Sequence, residues 1–167
     1  MKIAVSLDKV TVNIGVGQGG QPLENARLLL QQLTQQAPIN TLSQTRNPTF
    51  KLRMGEPIGA KVTLRGKPAE EFVKKALEVK ERRLPSRSFG EGNVSFGVPE
   101  YIDFPGAKYD PNIGMLGFDV CVTLKKPGKR ITQRRIAPRK LPKKQRVSPK
   151  EAMGFMKERF SVDVVES

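Results

Sequence analysis

Between Lys9 and Val16 the side chains alternate, with Val10, Val12, Ile14 and Val16 apolar and Lys9, Thr11 and Asn13 polar. A period of two is the signature of a strand with one face on a core and the other face free. The central strand of a parallel sheet is covered on both faces and would read as an almost unbroken apolar run. The chain is therefore directed toward an antiparallel sheet with one open side. The polar side of that sheet is what its function has to explain.

Gly15, Gly17 and Gly20 follow in G-x-G-x-x-G spacing, between this strand and a helical pattern. A dinucleotide loop of that form needs a carboxylate about 20 residues on, to hold the ribose. The corresponding stretch, Ile39 to Thr45, reads INTLSQT and offers none. Together with Gly19, these glycines read as a flexible strand-to-helix turn.

The helix after them opens at Pro22 and places Leu23, Ala26, Leu30 and Leu33 on one face; proline is well tolerated in a first helical turn. Strands are expected at about 39–46 and 58–65, joined by an unusually long tip marked by Pro48, Gly55 and Pro57. A second helix, PAEEFVKKALEVK, buries Ala69, Phe72, Val73, Ala76 and Leu77. The order β-α-β-β-α is that of a split βαβ unit, with helices on one face of the sheet. Shorter strands NVSFGV, YIDF and GFDVCVTL follow. Ser148-Pro149-Lys150-Glu151 has capping-box spacing and opens a last helix presenting Ala152, Phe155, Met156 and Phe160. The fold class is α+β, one domain over residues 1–167, with a long hairpin loop at about 45–57 and a basic arm at about 125–148.

Charge is concentrated in that arm. Of the 30 Lys and Arg, 12 lie between Lys125 and Lys150, a stretch with no Asp or Glu; the 18 left elsewhere face 16 acidic residues. Pro127, Pro138, Pro142 and Pro149 block regular helix or central strand, so the segment reads as an extended arm that a polyanion neutralises. The chain has no histidine and one cysteine. This removes Ser-His and Cys-His nucleophilic devices and the usual zinc ligand sets. Cys121, between Val120 and Val122, reads as a small hydrophobe in a strand. No apolar run approaches the roughly 18 residues of a membrane span, and MKIAVSLDKV lacks a signal-peptide block. A cytoplasmic protein without catalytic groups, cofactor or metal is expected.

The segments VTVNIGVG, RMGEPIGAKVTLRG, SFGEGNVSFGV and IDFPGAKYDPNIGMLGFDVCVTL, in their order and spacing, closely resemble the large-subunit ribosomal protein five family, which docks 5S ribosomal RNA. The arginine-rich segment after DVCVTL is similar to the archaeal and eukaryotic branch. The resemblance spans nearly the whole chain. It implies an α+β fold with a curved antiparallel sheet, placed in the central protuberance of the large subunit. The partners it implies are 5S RNA, large-subunit RNA, the elbow of P-site tRNA and a small-subunit head protein across the interface, with no homo-oligomer. One departure is Gln35-Gln36-Ala37-Pro38, where the family usually has Gly-Gln.

By that resemblance the 5S-facing positions are Asn13, Gln36, Thr63 and Arg65. The alternation of Val12, Ile14, Val62 and Leu64 independently turns Asn13, Thr63 and Arg65 away from the helices. The tRNA-contacting loop would use Arg46, Asn47, Thr49, Phe50, Lys51 and Arg53. Phe50 could meet a stacked nucleotide or fold back to anchor the loop. Contacts from the arm to ribosomal RNA would use Lys125, Lys126, Lys129, Arg130, Arg134, Arg135, Arg139, Lys140, Lys143, Lys144 and Arg146. Two other readings compete: a free RNA- or DNA-binding module whose exposed aromatics on central strands stack single-stranded bases, and an enzyme using a nucleotide at Gly15.

Overall fold

The computed structural model describes residues 4–165, so Met1–Ile3, at the start of the expected amino-terminal strand pattern, lie outside the described residues. The elements are β1 (Ser6–Gly15), α1 (Gln21–Thr34), β2 (Ile39–Leu42), β3 (Pro57–Leu64), α2 (Lys67–Val79), β4 (Arg83–Pro85), β5 (Asn93–Val98), β6 (Phe118–Lys125), α3 (Pro149–Phe160) and β7 (Asp163–Val165). Short 3-10 turns occupy Ser86–Ser88, Tyr101–Asp103, Lys129–Thr132 and Lys143–Gln145. Strands pair in the order β2-β3-β1-β6-β5, and β4 pairs with β7. The sheet is mostly antiparallel, as expected for this α+β class. Two compact units are distinguished among the described residues: 4–10, 65–96 and 121–165 in the first, Thr11–Leu64 and Gly97–Val120 in the second.

In the second unit the glycine segment closes on protein backbone. The N–H groups of Val16 and Gly17 both donate to the Ile58 carbonyl, at 3.0 and 2.8 Å. Gly20, at φ 86°, caps α1, a conformation that suits a residue without Cβ. The turn reading holds. Helix α1 buries Leu23, Ala26, Leu29 and Leu30, while Leu33 is only half-buried. It ends at Gln35, which takes the left-handed conformation (φ 54°, ψ 25°) and donates its N–H to Gln31. Glycine is the usual residue there; glutamine performs the same termination with strain.

Strand β2 pairs antiparallel with β3, Ile39 opposite Lys61 and Asn40 opposite Ala60, with an irregularity between Thr41 and Leu42. Gly59 allows the close approach beside that irregularity. A Cβ there would lie 2.6 Å from the Ile14 carbonyl oxygen and 2.8 Å from Thr41 Oγ1. Two expectations are corrected in this unit. The strand expected to reach residue 46 ends at Leu42, at the register shift between Thr41 and Leu42, and the Ser43 hydroxyl then donates to the Thr45 carbonyl at 2.8 Å. The YIDF segment is a 3-10 turn rather than a strand. The Phe104 N–H donates back to the Tyr101 carbonyl at 3.0 Å, and the buried Tyr101 hydroxyl accepts from the Asp110 N–H at 3.0 Å.

In the first unit α2 buries Ala69, Phe72, Val73, Ala76 and Leu77, the whole expected stripe. Helix α3 begins with the expected capping box: the Ser148 side chain accepts from the Glu151 N–H, and the Glu151 carboxylate accepts from the Ser148 N–H. It buries Ala152, Met156 and Phe160, leaving Phe155 half-buried. The parallel β4–β7 pair sets Arg83 opposite Asp163.

Candidate nucleic-acid interface

In the second unit the alternation holds over Thr11–Ile14 of β1 and Ala60–Leu64 of β3. Val12, Ile14, Val62 and Leu64 are at most 3 % exposed, while Thr63 and Lys61 stand out to solvent and Asn13 is half-buried. Ile39, opposite Lys61, remains exposed on the same side. Gln36 is exposed immediately after the left-handed Gln35. This face offers amide, hydroxyl and ammonium donors beside an apolar side chain. Such a mix bonds phosphates, sugar hydroxyls and base edges.

The 43–56 connection is a second, smaller hairpin. Asn47 and Leu52 exchange both backbone hydrogen bonds, at 3.1 and 2.9 Å. The Asn47 side-chain oxygen accepts the Thr49 N–H at 3.1 Å and the Phe50 N–H at 3.5 Å, an Asx turn that fixes the tip. Lys51 sits in the left-handed region at φ 56°, and the Glu56 carboxylate accepts the Arg53 N–H at 2.9 Å. Arg46, Lys51 and Arg53 line a shared concavity with Pro48 and Leu52. Phe50 is 71 % exposed and Met54 76 %; the phenyl ring does not fold back as an anchor.

In the first unit the root of the arm is pinned by carboxylates. The Asp8 side chain is 8 % exposed; Lys125 donates to one of its oxygens at 3.0 Å and Lys129 to the other at 3.1 Å. Arg65 approaches the same carboxylate at 3.5 Å. Burial raises the Asp8 carboxyl pKa, but the ammonium groups of Lys125 and Lys129 outweigh it and hold the group below its ordinary value. Lys126, at 7 % exposed, donates to both Glu151 oxygens at 2.7 Å and to the Arg146 carbonyl at 3.0 Å. That ammonium, followed by the Ser148 N–H, lowers the Glu151 carboxyl to a pKa of about 2. The Arg146 guanidinium lies 3.4 Å from Glu91.

Beyond this root the chain is open. Arg130, Arg134, Arg135, Arg139, Lys140, Lys143 and Lys144 are all exposed. Arg134 Nε donates to the Ala137 carbonyl at 2.9 Å, around a left-handed Ala137 at φ 46°. The structure thus divides the expected arm residues into a carboxylate-bound root and a solvent-facing tip.

Asp8, Glu91 and Glu151 were not singled out from the sequence as partners of the arm, although two of these pairings carry a readable signal. Asp8 shares the parity of Val10, Val12 and Ile14, and Lys126 that of Val120, Val122 and Leu124. A charge in core-facing register requires an ion partner. Cys121 sits in β6 as expected, half-buried. The described strands carry two aromatics, Phe96 and Phe118, and both are buried, so the stacking platform of a single-strand RNA module is missing. Among the described residues no His/Cys/Asp/Glu group could hold a metal ion, and no helix is long and apolar enough to cross a membrane.

Comparison with known proteins accounts for almost the whole chain. Residues 3–53 match the family model described as Ribosomal protein L5, and residues 57–155 match the model for the C-terminus of the same ribosomal family. A protein of Methanosphaera stadtmanae, named large ribosomal subunit protein uL5, is 50 % identical over 157 residues, covering 93 % of this chain and 94 % of its own. Proteins of the same name from Sulfurisphaera tokodaii (50 % identical, 96 % of this chain and 92 % of the relative) and Methanoregula boonei (46 %, 96 % and 98 %) agree over the same span. An open polar sheet face, a basic arm and two adjoining family matches lead to one assignment: the chain belongs to the ribosomal protein L5 family.

Proposed function

We propose that this chain docks 5S ribosomal RNA on the open face of its sheet, using Asn13, Gln36, Thr63 and Arg65. It is a ribosomal protein of the large subunit, partnered with ribosomal RNA in the cytoplasm, and its relatives are structural proteins rather than enzymes. The observation that carries the RNA assignment is the two-sidedness of β1 and β3, whose core-facing residues are closed to solvent while Lys61 and Thr63 stand exposed. A sheet face left open and polar in a chain of net charge +14 favours a polyanion.

The other contacts follow from the two remaining basic features. The exposed tip of the arm, Arg130 to Lys144, contacts large-subunit RNA through phosphates. The small hairpin with Arg46, Lys51 and Arg53 reaches the elbow of P-site tRNA, Phe50 being free to meet a nucleotide. A small-subunit head protein completes the set across the interface. Lys126 serves the arm structurally, since its ammonium is already fully engaged. The test is crosslinking in intact ribosomes with mapping of both partners. Crosslinks from β1 and β3 to 5S RNA are expected, and a map in which 5S RNA meets only other parts of the chain would overturn the assignment.

A further inference from the structure

Within the first unit, the root of the arm encloses a cleft of about 260 Å³. This is just below the range of about 300–1,000 Å³ typical of small-molecule pockets, so it has room for a single base with part of its sugar. Its composition is divided. Leu124, Leu141 and Val147 supply apolar lining, Asn93 and Gln145 supply amides, Lys125, Lys126, Lys129 and Arg146 supply positive charge, and Glu91 supplies one carboxylate.

We infer that this cleft takes one unpaired RNA nucleotide, its phosphate held by Lys125 and Lys129 and its base seated against Leu141 and Val147. The inference rests on the reading that the protein binds ribosomal RNA, and it adds a specific site to it. The charge of the cluster favours an anion. Five cations (Arg65, Lys125, Lys126, Lys129 and Arg146) share three carboxylates (Asp8, Glu91 and Glu151). Two positive charges are left uncompensated.

Geometry places that excess at the cleft. Lys126 is consumed by Glu151, but Lys125 and Lys129 each give one bond to a different oxygen of the same buried Asp8. An ammonium has three donors, so both keep donors for a further acceptor while Asp8 holds them side by side. A phosphate alone would leave the apolar lining unused. The side-chain amides of Asn93 and Gln145 have no hydrogen bond among the described residues and line the same cleft. Paired donor and acceptor groups beside an apolar wall suit the edge and face of a base splayed out of a helix.

The test uses the full chain, isotopically labelled, titrated by NMR with the four nucleoside 5′-monophosphates, ribose 5-phosphate and inorganic phosphate as separate probes. At least one nucleotide should bind roughly three- to tenfold more tightly than ribose 5-phosphate, a gain on the scale of one or two hydrogen bonds, and should shift the Asn93 and Gln145 side-chain amides. Leu141→Ala and Gln145→Ala should each reduce that preference and leave the response to inorganic phosphate in place. Nucleotides that bind no better than ribose 5-phosphate, or shifts spread along the exposed arm, would overturn the pocket. Binding of 5S RNA by the same samples is measured in parallel. Absence of 5S RNA binding by the parent protein would instead overturn the sheet-face reading.

Discussion

The Lys126 ammonium lies 2.7 Å from each carboxylate oxygen of Glu151, and this pair closes the basic arm at its base. Lys126, one residue past β6, carries on its core-facing register, and Glu151 stands in the first turn of α3, where it also accepts the Ser148 N–H at 2.9 Å. One carboxylate therefore ties together a strand end, a helix cap and the return of the arm. The two partners are unequal, since the side chains are 7 % and 43 % exposed.

That inequality predicts an asymmetry between single substitutions. Glu151→Gln leaves a buried ammonium without its counter-ion and should destabilise the fold by about 1–3 kcal/mol, below the range for fully buried pairs because Glu151 is half in water. Lys126→Met removes the buried charge itself and should cost less, about 1 kcal/mol or below, leaving Glu151 to cap α3. Urea unfolding of both variants checks the order; equal losses would contradict it.

Acid should erase the contribution of this pair. Glu151 has an ordinary pKa of 4.5 and is held at about 2 in the fold. A carboxyl with a lowered folded pKa adds stability that is fully present above its unfolded value and disappears as pH falls through the folded one. The stability difference between the parent and Lys126→Met should therefore be constant near neutrality and shrink between pH 4.5 and about 2. Unfolding midpoints measured across that range decide the point.

Two backbone positions predict changes of opposite sign. Gly59→Ala would drive a methyl group to 2.6 Å from the Ile14 carbonyl oxygen and should destabilise by about 1–3 kcal/mol. Gln35→Gly relieves a left-handed residue at the end of α1 (φ 54°). It should stabilise by about 0.5–1 kcal/mol, the relief from strain being partly offset by chain entropy. Thermal unfolding reads both.

Local periodicity explains which parts of this structure were legible in the sequence. The stripe of α2 was readable to the residue because helix contacts repeat every three or four positions, and β1 because its two faces differ so sharply. The β4–β7 pair was not legible: each strand has three residues, and the partners Arg83 and Asp163 are distant in the chain. YIDF has the apolar-polar pattern of a strand, yet four residues do not separate a strand from a turn, and the Tyr101 hydroxyl bond to Asp110 decides it. The open sheet face and the excess charge of the arm were legible. Its division into pinned root and free tip depends on Asp8 and Glu151, whose partners are set by tertiary structure.

The small hairpin predicts a separable defect. Replacing Arg46, Lys51 and Arg53 together by Ala removes the basic lining of its concavity without touching the Asn47–Leu52 backbone bonds or the Asn47 turn. Ribosomes carrying the triple variant should keep their 5S RNA and release P-site tRNA faster than the parent. Tracking tRNA dissociation from purified particles tests this, and release at the parental rate would contradict it.

The most direct test of the sheet-face account is the affinity of the isolated protein for 5S RNA, compared among the parent, Asn13→Ala and Arg65→Ala. Both side chains lie outside the apolar core, and Asp8 keeps Lys125 and Lys129 at 3.0 and 3.1 Å when the 3.5 Å approach of Arg65 is removed, so the variants should fold as the parent does and show the same circular dichroism. Each should bind 5S RNA more weakly by about 1–3 kcal/mol, the scale for losing a hydrogen bond to a charged or buried polar group. If both variants bind 5S RNA with the affinity of the parent, the open face of β1 and β3 is not where that RNA docks.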